Sequence, residues 1–78
     1  MQKNIIHRYF KKELEQGKIL VQINPENFSG LELLVDTNGR ISKTRRTFDE
    51  MIYEDLAYDD FHECSPLEFN LYLKGLAK

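Results

Sequence analysis

The side chains able to do chemistry crowd into one stretch, Asp59-Asp60-Phe61-His62-Glu63-Cys64. His62 and Cys64 stand two apart, so an imidazole could act as base for a thiol nucleophile. No third residue to orient that histidine can be named, and the other histidine, His7, lies at the far end of the chain. The same stretch holds ligand types that suit zinc or another borderline metal. Structural zinc, however, draws its ligands from two separated pairs, and here there is one cluster. Asp36-Thr37-Asn38-Gly39 opens like a calcium loop but lacks the later ligands and the closing glutamate. Glycines 17, 30, 39 and 75 are scattered, so no phosphate-cradling loop exists, and HExxH is absent. The reading is a non-enzyme, with no catalytic residue, no metal ligand and no cofactor.

What the residues do supply is charge, unevenly placed. Residues 1–46 hold nine basic and five acidic side chains, while residues 47–78 hold two basic and eight acidic. The overall balance of −2 hides this asymmetry, which bears on partners rather than on fold. Glu50, Glu54, Asp55, Asp59 and Asp60 gather on one predicted helix with Tyr53 and Tyr58, which are expected to be exposed beside them. Glu50–Glu54 and Asp55–Asp59 are like-charge pairs at i,i+4, a spacing at which opposite charges would have been stabilising. Arg40, Lys43, Arg45 and Arg46 gather on a predicted strand over 40–46, and Lys11 and Lys12 on a predicted first helix.

The elements that must position these groups are read as follows. Ile5, Ile6, Tyr9, Phe10 and Leu14 fall at helical spacing, giving an amphipathic helix over 3–16 that ends at Gly17. Lys18–Ile23 alternates β-branched residues and reads as a strand ended by Asn24-Pro25. Leu31–Phe48 reads as a hairpin turning at Asn38-Gly39, with the type I′ geometry that pair favours. Its first arm, Leu31–Asp36, sets Leu31, Leu33 and Val35 on one face. Its second arm carries too much charge for either face to be buried, which marks an edge strand. Asp49 is the expected N-cap of the acidic helix, with Phe48 stapled on Tyr53. Phe61–Cys64 is a break. Ser65-Pro66-Leu67-Glu68 then starts the last helix with N-cap, Pro at N1 and a capping box, and Phe69, Leu73 and Leu76 form its buried line.

The expected fold is thus one α+β domain over residues 1–78, a three-stranded antiparallel meander packed against helices in the order α-β-β-β-α-α. That order resembles the double-stranded RNA-binding fold in topology. The resemblance implies basic residues at the start of the helix after the sheet, where this chain has Asp49-Glu50. A 78-residue domain buries only about 60–65% of its unfolded surface, so a homodimer is one way to cover what is left. The lone Cys64 forms no internal disulfide, and no apolar segment of signal-peptide or membrane-spanning length is present. The expected compartment is the cytoplasm, with no membrane partner.

Two functions follow from the charge. The first is a small protein-protein interaction or regulatory module whose acidic helical face (Glu50, Tyr53, Glu54, Asp55, Tyr58, Asp59, Asp60) meets a protein with a basic surface. The alternative is a nucleic-acid-binding module using the basic strand 40–46 and helix one (Arg40, Lys43, Arg45, Arg46, Lys11, Lys12).

Overall fold

Lys18-Ile19-Leu20-Val21-Gln22-Ile23 carries apolar side chains at both odd and even positions, and a strand with that pattern must be covered on both faces. In the computed structural model, which describes residues 6–75, this run lies in the middle of a five-stranded antiparallel sheet. The strands are β1 (Arg8–Leu14), β2 (Gly17–Ile23), β3 (Ser29–Asp36), β4 (Ile41–Thr47) and β5 (His62–Glu63), in spatial order β4-β3-β2-β1-β5. Helix α1 (Ile52–Tyr58) precedes β5, and helix α2 (Pro66–Leu73) follows it.

Each helix covers one face. Val21 and Ile23 of β2 pack with Phe10 and Leu56, joined by Ile19, Phe48, Ile52, Tyr53 and Phe61, to form the core beneath α1. Leu20, from the opposite face of the same strand, packs with Leu33, Val35 and Phe69, joined by Tyr9, Leu31 and Tyr72, beneath α2. Leu20, Ile23, Leu33 and Phe69 are fully buried. These are two thin cores separated by one sheet, the arrangement that alternating side chains impose when both parities are apolar.

The three-stranded meander and the order α-β-β-β-α-α are overturned by this sheet. The first correction is at the N-terminus: within the predicted helix over 3–16, residues 8–14 are strand β1, Ile6 and His7 belong to no element, Glu15 and Gln16 form a turn, and residues 3–5 lie outside the described residues. The apolar spacing there fits a helix, but Tyr9-Phe10 also suits a strand, and β2 needs a neighbour. A two-residue turn at Glu15-Gln16 sets Arg8 opposite Ile23 and Leu14 opposite Gly17, a seven-pair ladder that a helix could not offer. Gly17 has φ +137°, and a Cβ there would lie 1.9 Å from the Val35 carbonyl oxygen. Glycine at 17 thus serves a tight hairpin rather than a helix end. The second correction is at Phe61–Cys64, where β5 lies along β1 with Phe10 opposite Glu63.

Two local expectations also change. The β3–β4 connection is a four-residue loop, with Val35 opposite Ile41, and not a type I′ turn. Among its residues only Gly39 has positive φ. The Asp36 carboxylate organises it by accepting from the backbone N–H groups of Asn38 and Arg40, both at 2.9 Å. At α2, Ser65 is the N-cap and its Oγ accepts from Glu68 N at 3.1 Å, with Pro66 opening the helix. The Glu68 carboxylate does not complete the capping box; it accepts from Lys11 Nζ at 2.8 Å and ties α2 to β1. Leu67 is exposed and Leu76 lies outside the described residues.

If both cores are needed, Phe69→Ala under α2 and Phe10→Ala under α1 should each lower stability by about 3–5 kcal/mol. The check is the urea midpoint of each single variant by circular dichroism. A loss below about 1 kcal/mol for Phe10→Ala would show that the α1 layer is not a core.

Candidate functional site

The acidic helix is built from local rules that the carboxylates themselves help satisfy. Asp49 Oδ1 accepts from Met51 N at 2.8 Å, and Ile52 N donates to Asp49 O. The N-cap position falls at Met51, with no side-chain cap, so Asp49 supports the turn before the helix and is not its cap. At the other end Phe61 N donates to Leu56 O at 2.9 Å and Asp60 N to Ala57 O at 3.2 Å. With Asp60 at φ +65° this is a Schellman ending, in which Phe61 packs back beside Leu56.

That geometry decides which side chains face water. Leu56 is buried and Ile52 half-buried, while Glu50, Glu54, Asp55, Tyr58, Asp59 and Asp60 are exposed, Tyr58 at 88%. Tyr53 departs from expectation. Its ring packs against Phe10 and Phe28, its hydroxyl is buried without a hydrogen-bond partner among the described residues, and the Arg8 guanidinium covers the ring at 4.5 Å. Arg8 in turn pairs with Glu63 of β5 at 3.2 Å. Tyr53 is therefore a core ring, and Tyr58 is the tyrosine on the acidic surface.

Between α1 and the uncovered half of the sheet runs an open groove of about 380 Å³. Val21, Phe48, Ile52, Leu56 and Phe61 are its apolar lining, and Glu32, Asp49, Asp55 and Asp59 line it with one guanidinium, that of Arg46. Glu32 and Arg46 pair at 3.2 Å across β3 and β4. Among the described residues no cation lies in ion-pair range of Asp55 or Asp59. The groove was not legible in the sequence because its apolar lining comes from β2, α1 and the segments on either side of α1.

The predicted basic residues do not converge. Lys11 and Lys12 are on β1, with side chains on opposite faces of the sheet, Lys11 held by Glu68 and Lys12 over the Phe61 ring. Hydrogen bonding to Glu68 raises the Lys11 pKa above its ordinary 10.5. Arg40 lies in the β3–β4 loop, Arg46 is taken by Glu32, and Lys43 and Arg45 share the α2 face of β4. Two strands separate β4 from β1, about 14 Å.

The candidate nucleophile is poorly placed for attack. Cys64 is half-buried under α2, and its backbone N–H donates to Tyr9 O at 3.0 Å. Burial pushes its thiol pKa up from 9.0 to about 11, with Glu68 adding to the rise and Lys11 opposing it. His62 is exposed on β5. Among the described residues no three of His, Cys, Asp and Glu converge to hold a metal ion, and no helix is long and apolar enough to cross a membrane.

A folded-state pKa above the unfolded one favours the neutral thiol, so this contribution to stability is present below pH 9 and is lost as the pH rises toward 11. At pH 8 Cys64 should alkylate with iodoacetamide about a hundredfold more slowly in the native chain than in urea. Equal rates would show an accessible, unperturbed thiol. No family model matches this chain, and no curated protein or solved structure is significantly similar to it.

Proposed function

We propose that the chain is a small, non-enzymatic interaction module of the cytoplasm, whose acidic surface on and around α1 receives a basic segment of a partner protein. The observation that carries this reading is the set of exposed carboxylates Glu50, Glu54, Asp55, Asp59 and Asp60, none within ion-pair range of a described cation. Two of them, Asp55 and Asp59, line a groove that also holds Phe48, Ile52 and Phe61. Carboxylates alone bind any cation weakly, through screened charge. Carboxylates beside Phe48, Ile52 and Phe61 suit a segment that combines lysine or arginine with apolar anchors. Tyr58 and Met51, both exposed at the two ends of the same helix, offer further apolar contact outside the groove. The paired Arg46 and Lys11 and the scattered Lys12 and Arg40 leave the alternative, a continuous phosphate-tracking surface, without a comparable arrangement.

The test titrates a synthetic peptide of alternating lysine and leucine into the chain at two salt concentrations. Binding should weaken at high salt, fall about tenfold or more in Glu54→Lys with Asp55→Lys, and fall in Tyr58→Ala. Tyr53→Phe, which keeps the core ring and removes only its buried hydroxyl, should leave affinity unchanged. Binding insensitive to both charge and Tyr58 would overturn the reading.

A further inference from the structure

The outer edge of β4 has no strand beside it among the described residues. At the two ends of the β3–β4 pair, Asp36 N donates to Arg40 O at 3.0 Å and Phe48 N to Phe28 O at 2.8 Å. Hydrogen-bonded and non-hydrogen-bonded positions alternate along an antiparallel pair. Both end bonds involve even-numbered residues on the β4 side, so Ser42, Thr44 and Arg46 turn their backbone groups toward β3. Ile41, Lys43, Arg45 and Thr47 therefore turn N–H and C=O outward. Lys43 and Arg45 lie opposite Leu33 and Leu31, so their side chains share the α2 face. Neither makes an ion pair with a described residue. Open backbone groups and unneutralised cations thus recur together every second residue, about 7 Å apart.

We propose that this edge takes an extended acidic segment of another protein as a sixth strand, with carboxylates at alternate positions facing Lys43 and Arg45. Cations on an edge strand ordinarily guard against pairing. That guard acts by sign: it opposes a cationic strand and favours an acidic one. It also opposes a second copy of this chain. In an antiparallel β4 pair with its two-fold axis at Lys43, Thr44 or Arg45, each register sets a cation opposite a cation. The site is separate from the α1 surface and stands or falls independently of it.

The probe is a capped peptide alternating glutamate with threonine, added to the full chain and followed by calorimetry and backbone amide NMR. The Lys43 and Arg45 amides should gain protection from exchange on binding. Lys43→Glu with Arg45→Glu should weaken binding about tenfold or more and create affinity for the peptide with lysines in place of glutamates. Glu54→Lys with Asp55→Lys should not weaken it. Two further peptides, N-methylated at odd or at even positions, keep the charge, and one of them should fail to bind because it lacks the ladder donors. No binding of the parent peptide, or equal binding by both methylated forms, overturns the proposal. Tighter binding of a single-stranded oligonucleotide at the same residues overturns it in favour of a phosphate backbone.

Discussion

The fold rests on β2 burying side chains on both of its faces. Leu20 looks one way, Val21 and Ile23 the other, and all three are buried. A chain of 78 residues cannot build a thick layer on each side, so it spends one short helix per face. Aromatic rings supply area where helical length is lacking: Phe69 of α2 is fully buried against the sheet, with Tyr9 against it at 5.2 Å. The price is a sheet wider than its covers, which leaves β4 and the outer half of β3 in contact with water on the α1 face.

How much of this was legible depended on whether the deciding partner was near in sequence. Ser65-Pro66 announced α2 because capping is a local interaction. The alternation of Leu31, Leu33 and Val35 announced the inward face of β3, and the charges of Ile41–Thr47 announced an edge. Residues 8–14 were misread because Tyr9, Phe10 and Leu14 satisfy a helical period and a strand equally well, and only β2 and β5 on either side decide between them. β5 was invisible because two residues carry no period at all. Tyr53 was misread for a related reason: its position on α1 is flanking by helical spacing, yet Arg8, Phe10 and Phe28, distant in sequence, close over it.

Charge is sorted by the same sheet. Ion pairs join elements where they meet: Arg8 with Glu63, Lys11 with Glu68 and Arg46 with Glu32. Among the groups these pairs leave over are the carboxylates around α1 and, on β4, Lys43 and Arg45. The α1 helix and the Lys43 and Arg45 side chains lie on opposite faces of the sheet. The groove beside α1 and the outward backbone of β4 give each set a shape as well as a sign.

The order of the strands also fixes how the chain can assemble. From β1 to β4 every pairing joins neighbours through a turn of two to five residues, so the sheet can zip up one hairpin at a time at small loop-closure cost. Only β5 must return across the chain, bringing residue 63 to residue 10. That pairing spans the longest loop in the sheet, with α1 before β5 and α2 after it on opposite faces of β2.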